Sequence, residues 1–243
     1  MSLRISFTRW LLAVTTLLTL SSAQAGIVVN GTRFIYPAKQ QEIGVRVSND
    51  GDKPSLVQVW IDRGDPEIRP ENAEAPFVMT PPLFRVDPGK GQSVRVSFTG
   101  EPLPKDRESV FWLNLLDVPP MPSEDGNYMQ FAIRTRVKLF YRPEGLPGRP
   151  DRAIEQVAWS LASIDGKPVL RATNRSAYNV SFGDIALRAN GRDYKAGSGM
   201  VGPFGSHDFP VTGLSGIPAS GRVVLQWIND YGASVGQESS LDK

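Results

Sequence analysis

The single histidine, His207, lies in Gly205-Ser206-His207-Asp208. Serine, histidine and aspartate are the residue types of nucleophilic hydrolysis, but such triads are assembled by folding, not by adjacency along a strand. His207 therefore reads as a surface or edge histidine. Glycoside hydrolysis needs two carboxylates about 5 to 10 Å apart; the chain's 25 acidic residues offer many such pairs and single out none. With no cysteine, one histidine and no Asp-rich calcium loop, metal-ligand spacing is absent. Arg63-Gly64-Asp65 resembles an integrin-binding tripeptide, but three residues match by chance and read as a loop.

The charge balance adds a further exclusion. Of 27 basic residues, Arg4 and Arg9 belong to an N-terminal segment with a positive start, an apolar run from Trp10 to Leu20 and a small-x-small site at Ala23-Gln24-Ala25. This is the pattern of a secretory signal, expected to be removed after residue 25. The apolar run is shorter than the roughly 20 residues that span a bilayer, so no membrane insertion is expected. What remains carries 25 basic and 25 acidic residues. That neutrality argues against a nucleic-acid partner held by bulk charge, so any basic site must be local.

The elements that would position such a site read as strands. Short apolar or alternating runs rich in Val, Ile, Phe and Tyr recur between turn signals, and no amphipathic helix stands out. Val28 to Tyr36, Glu42 to Ser48, Ser55 to Asp62, Pro82 to Val86, Gln92 to Thr99, Ser109 to Val118 and Tyr128 to Tyr141 give about seven strands. Asp50-Gly51 and Pro88-Gly89 mark turns, and the count suits an immunoglobulin-like sandwich. The stretch Arg142-Pro143-Glu144-Gly145-Leu146-Pro147-Gly148-Arg149-Pro150 would interrupt any strand ladder. The expected division is thus a first domain over residues 26–143, a linker over 144–152 and a second β-sandwich over 153–243. In the second domain Ala153 to Leu161, Val169 to Asn174, Tyr178 to Arg188, His207 to Val211 and Gly221 to Asp230 read as strands, with hairpin turns at Asp165-Gly166 and Asn190-Gly191.

One strand differs from the others. Tyr128 to Tyr141 is the longest, and Met129, Phe131 and Ile133 alternate with Gln130, Ala132 and Arg134, so one face of its first half carries three large apolar groups. Two readings fit. The row points into the sandwich core, or the strand lies at a sheet edge and offers the row to a partner, against the usual defences of edge strands. Among the strand cations, Arg46, Arg134 and Arg136 read as solvated.

At this point the chain resembles the PapD-like periplasmic chaperones of the chaperone-usher pathway. The resemblance runs from about Ile27 to Ser239. It is carried by Thr32-Arg33-Phe34-Ile35-Tyr36-Pro37-Ala38, Thr80-Pro81-Pro82-Leu83-Phe84-Arg85-Val86, Asp106-Arg107-Glu108-Ser109-Val110-Phe111, Val137-Lys138-Leu139-Phe140-Tyr141-Arg142-Pro143 and Ile228-Asn229-Asp230-Tyr231-Gly232. It implies an all-β chain of two immunoglobulin-like domains set at an angle around a cleft. The implied role is non-enzymatic and needs no cofactor and no ATP: a periplasmic chaperone that stabilises pilus subunits and delivers them to an outer-membrane usher.

The implied mechanism is donor-strand complementation, a form of β-augmentation in which the chaperone lends an edge strand to a subunit that lacks its last one. Met129, Phe131 and Ile133 would be the donated side chains, worth about 5 to 9 kcal/mol together before ordering costs. Arg33 and Lys138 would bind the subunit's terminal carboxylate and fix the register. Strict alternation puts Lys138 on the face opposite the row, and a bulge or strong twist near Thr135-Arg136 would reconcile the two. Glu108, Arg142 and Asp230 resemble the family's interdomain ionic cluster. The short stretch Val118 to Asn127 resembles the short-loop branch, which serves rod-forming pili with adhesive tips. Free chaperone is expected to hide its edge by self-association. Two other classes remain: a two-domain carbohydrate-binding or adhesive β-protein, and a secreted hydrolase with paired carboxylates.

Overall fold

The computed structural model describes residues 26–121, 129–218 and 220–242. The expected signal segment lies outside them, as do most of the stretch read as a short loop and Tyr128. The run expected as one strand from Val28 to Tyr36 is two, β1 (Ile27–Val29) and β2 (Arg33–Pro37). The break is at Gly31, whose φ of 147° is one that residues with a Cβ rarely adopt. It lets the chain leave one sheet and enter the other, so that β1 pairs with β3 (Glu42–Asn49) while β2 crosses over.

The remaining strands of the first sandwich are β4 (Ser55–Asp62), β5 (Phe77–Thr80), β6 (Leu83–Val86), β7 (Gly91–Phe98), β8 (Ser109–Val118) and β9 (Ile133–Arg142). They form a four-stranded sheet in the order β1-β3-β7-β5 and a five-stranded sheet in the order β2-β9-β8-β4-β6. The strand expected from Tyr128 begins only at Ile133, and at ten residues it matches β8 instead of exceeding it. β5 escapes the sequence reading because four residues ending at Thr80-Pro81-Pro82 look like part of a turn.

The core lies between these sheets, around Tyr36, Val45, Val57, Val94, Phe111, Leu113, Leu115 and Leu139, all buried. Tyr36 pins β2 into it. Its ring lies 5.4 Å from Phe77 and 5.9 Å from Tyr141, its hydroxyl donates to the Gln41 carbonyl at 2.7 Å, and it accepts from the Phe98 amide at 3.1 Å. A tyrosine buried this deeply needs such partners for its polar end.

Beyond the proline-rich stretch the expected strand from Ala153 starts late. Pro150–Gln156 forms a 3-10 helix, with proline in its first turn where its missing N–H costs nothing. The second sandwich follows as β10 (Val157–Ile164), β11 (Lys167–Asn174), β12 (Val180–Ala189), β13 (Arg192–Val201), β14 (Ser206–Pro210), β15 (Arg222–Ile228) and β16 (Ser234–Ser240). Its sheets run β10-β11-β14 and β13-β12-β15-β16. β13 and β16 were not anticipated, since Arg192–Val201 contains two glycines and Ser234–Ser240 is mostly polar. Pairing with β12 and β15 makes them strands, a tertiary effect that β-propensity does not register. This sandwich has its own core around Trp159, Leu170, Phe182, Ile185, Leu187, Phe209 and Leu225.

Candidate functional site

β9 is paired on one side from Ile133 to Tyr141 and on the other side along only half of its length. β8 runs antiparallel to it from Ser109↔Tyr141 to Asp117↔Ile133 without a register shift. β2 runs parallel to it and covers only Lys138 to Arg142, starting at Arg33↔Lys138. Among the described residues, the backbone edge of residues 133–137 therefore has no neighbouring strand on the β2 side. Beside and just before this edge stand Met129, Phe131 and Ile133, which are 79%, 67% and 60% exposed. An apolar row of this size left in water is unusual for side chains that have a core available.

The row keeps the phase of the core. Val137 and Leu139 are buried between the sheets, and Ile133 shares their face by two-residue alternation. Met129 and Phe131 precede the strand and continue the same odd-numbered series. No bulge lies near Thr135-Arg136, one of the two features that would reconcile the row with Lys138, since the β8–β9 register is unbroken. Ile133, the row's one member inside β9, and Lys138 lie on opposite faces of the strand.

The even-numbered face carries the charges. Arg33 and Lys138 are direct register partners, an arrangement that like charges disfavour. Arg33 Nη1 donates to the Ile228 carbonyl of the second domain at 2.9 Å, while Arg33 Nε is buried without a hydrogen-bond partner. Lys138 Nζ donates to Ser181 Oγ at 3.2 Å and lies 5.5 Å from the Trp112 ring. Among the described residues no carboxylate comes within 4.0 Å of either cation. Burial, and after it the charge of Arg33, lowers the Lys138 ammonium to a pKa of about 8. Burial likewise lowers Arg33, against the opposing fields of Asp230 and Glu108. Two half-buried cations held together without an acid within 4.0 Å have the chemistry to receive an anion.

Four residues further along β9, Arg142 has its acids already. Arg142 Nε donates to Glu108 Oε1 at 2.6 Å, and Nη1 and Nη2 donate to the Asp230 carboxylate at 2.8 and 3.1 Å. Glu108, with its side chain only 2% exposed, also accepts from the Asn179 amide at 2.9 Å. The guanidinium lies 5.4 Å from the Tyr178 ring. Desolvation pulls Arg142 down, but the Asp230 hydrogen bonds and the charges of Glu108 and Asp230 outweigh it and raise its pKa. Glu108 and Arg142 come from the first sandwich, Asp230 and Asn179 from the second, so the cluster ties the two together.

Arg134 and Arg136 correct the solvated reading. Arg136 Nη2 donates to Asp62 at 2.7 Å with its guanidinium 4.3 Å from the Trp112 ring. Arg134 donates twice to Asn114 Oδ1 and once to the Pro66 carbonyl, 4.8 Å from the Trp60 ring. Asp62, Asn114 and the two tryptophans had not been singled out. The signal was present: Trp60-x-Asp62 and Trp112-x-Asn114 share the two-residue period of Arg134-x-Arg136-x-Lys138. Arg46 is exposed on β3, as read. His207 is exposed on β14, packs edge-on at 4.6 Å from Phe209, and its neighbour Asp208 is engaged by Arg171 at 2.7 Å.

The family model for the N-terminal domain of PapD, a pili and flagellar-assembly chaperone, matches residues 26–147. That for the C-terminal domain of the pili assembly chaperone PapD matches residues 152–239. Among characterised relatives, the probable fimbrial chaperone YadV of Escherichia coli K12 is 43% identical over 220 residues, covering 88% of this chain and 89% of YadV. The chaperone protein FimB/FhaD of Bordetella pertussis is 40% identical over 229 residues, covering 90% of each. The crystal structure of the YadV chaperone superposes with a TM-score of 0.79 at 41% identity, over 89% of this chain and all of that one. The CupB2 chaperone of Pseudomonas aeruginosa gives 0.75 at 36% identity, over 88% and 100%. Two sandwiches, one of them with a half-open edge on β9 and an unneutralised cation pair across β2 and β9, matched along nearly their whole length, make this chain a member of the PapD-like pilus-assembly chaperone family.

Proposed function

We propose that the chain captures pilus subunits by lending them the open half of β9, and hands them to an outer-membrane usher from the periplasm. One observation supports this most strongly: at Lys138 three boundaries coincide. β2 ends its cover, the unneutralised cation pair stands there, and the backbone edge left open over residues 133–137 begins, leading to the exposed row of Ile133, Phe131 and Met129.

This coincidence dictates how a subunit strand would lie. A strand entering the slot beside residues 133–137 is stopped by Arg33, the first residue of β2. A chain terminus that meets two cations at that stop is a carboxy terminus, so the incoming strand runs in the direction of β2, parallel to β9. Its backbone bonds the edge, Met129, Phe131 and Ile133 fill the subunit's apolar groove, and its carboxylate joins Arg33 and Lys138. Affinity comes from the row, register from the anchor. Glu108, Arg142 and Asp230 hold the second sandwich so that Ile228 and Ser181 back the anchor. No cofactor or ATP enters this scheme; release would follow replacement of the lent strand by another subunit's extension at the usher. The same open edge makes self-association of the free chain the natural way to cover the row. The adhesive alternative is not favoured, because the exposed apolar groups lie in a row along an edge strand.

The test is co-expression with a fimbrial subunit followed by pull-down from periplasm. A folded Arg33→Ala, Lys138→Ala variant that retains the subunit would overturn the anchor.

A further inference from the structure

The outer face of the five-stranded sheet is a lattice of three rungs. β4, β8 and β9 align Asp62–Trp112–Lys138, Trp60–Asn114–Arg136 and Gln58–Leu116–Arg134. Three cations thus stand on one face of β9 at two-residue steps, each about 6.6 to 6.8 Å along the strand.

That spacing creates a register problem. The apolar row has the same two-residue period, so a bound strand displaced by two residues still presents its side chains to the same faces. Displacement one way is blocked by β2. Displacement the other way would bring the terminal carboxylate beside Arg136 in the relation it should have to Lys138. The row cannot reject this slip, and an accessible Arg136 would reward it.

Arg136 is not accessible in that sense. Asp62, 2% exposed, takes its Nη2 at 2.7 Å and is held in place by Asn114 Nδ2 at 2.7 Å and the Gly64 amide at 2.6 Å. Asn114 Oδ1 and the Pro66 carbonyl occupy Arg134 in turn. A buried carboxylate is an expensive way to brace a sheet face that apolar side chains could brace as well. Its charge therefore calls for a role beyond bracing.

We propose that Asp62 is a register-determining residue: by pairing with Arg136 at 2.7 Å and standing 3.7 Å from Arg134, whose remaining donors Asn114 and Pro66 engage, it leaves Arg33 and Lys138 as the cation site among the described residues of this face open to a strand's terminal carboxylate. The proposal rests on the carboxylate-anchor reading above.

The chain has no cysteine, so register can be read by crosslinking. Ile133→Cys is introduced on β9. The probes are synthetic peptides of alternating valine and threonine, each with one cysteine at a stepped distance from a free carboxy terminus, together with the same peptides as terminal amides. With Asp62 in place, crosslinking should concentrate on one peptide. With Asp62→Asn, at least a tenth of the crosslinks should move to the peptide whose cysteine lies two residues nearer the carboxylate. Asp62→Asn, Arg136→Gln removes the competing cation and should restore the single register, which a purely structural loss would not. Should Asp62→Asn not fold, Leu116→Lys adds an ammonium to the same face without touching Asp62 and should spread the crosslinks likewise. If amide and carboxylate peptides crosslink alike with Asp62 intact, the anchor itself fails. If the anchor holds and every folded variant keeps one register, the role of Asp62 is refuted.

Discussion

Lys138 and Arg142 lie four residues apart on one face of β9, and their electrostatic surroundings are opposite. Arg142 is saturated: Glu108 and Asp230 take both sides of its guanidinium, and Asn179 takes the remaining oxygen of Glu108. Lys138 faces another cation and, among the described residues, has only a serine hydroxyl within hydrogen-bond distance. The folded chain satisfies the first site and leaves the second waiting. A cation whose acids come from the same chain holds structure together, whereas a cation pair lacking its acid is stable only because the surrounding fold tolerates its cost, and it gains most from a partner that brings one.

The comparison breaks most decisively at the unsaturated site. Arg33→Ala with Lys138→Ala removes two charge-assisted contacts of about 1.5 to 3 kcal/mol each, so subunit affinity should fall on the order of 10² to 10⁴-fold. The melting temperature should stay level or rise, because two mutually repelling half-buried charges are gone. Affinity and thermal denaturation measured on the same preparations check both halves. Next is the apolar row, where Phe131→Glu would place an unpaired carboxylate in an apolar groove at roughly 2 to 4 kcal/mol of binding. Phe131 is mostly exposed, so a large drop in the stability of the unbound variant would place it in a core instead.

At the saturated site the expectation inverts. Arg142→Ala strands Glu108 opposite Asp230, and breaking a buried pair typically costs about 3 to 5 kcal/mol, here toward the lower end because Asp230 is partly exposed. The loss should appear first in the relation between the sandwiches. Small-angle scattering should report a splayed, more extended particle whose domains retain their strand signal by circular dichroism; an unchanged profile would deny the cluster its hinge role.

The smallest effect follows pH. Lys138 titrates at about 8 in the folded chain, below its ordinary 10.5. Between those values the unfolded chain binds more protons, so the Lys138 contribution to stability rises with pH through about 8 to 10.5. Binding runs the other way, since a carboxylate favours the ammonium: affinity should fall as pH climbs above about 8, and binding near pH 8.5 should take up part of a proton. Titration calorimetry in two buffers of different ionisation enthalpy would detect it. Lys138→Met should abolish the uptake, and uptake that persists would assign it to another group.

What the sequence by itself determined is local in origin. Period-two alternation and glycine and proline punctuation specify an all-β chain, and the two-residue period puts Met129, Phe131 and Ile133 on one face and Lys138 on the other. What only the tertiary structure decided is non-local. The alternation of β9 is equally compatible with core and edge; the edge arises because β2 begins at Arg33 and covers only half of the strand, a boundary set by Gly31 about a hundred residues away in sequence. Arg134, Arg136 and Lys138 are likewise indistinguishable along the chain. Which are neutralised depends on Asp62, brought alongside by strand register together with Asn114, a neutral acceptor for Arg134. A cation's partner comes from folding distant segments together, and that is why the strand could be recognised from its own residues while its charge pattern could not.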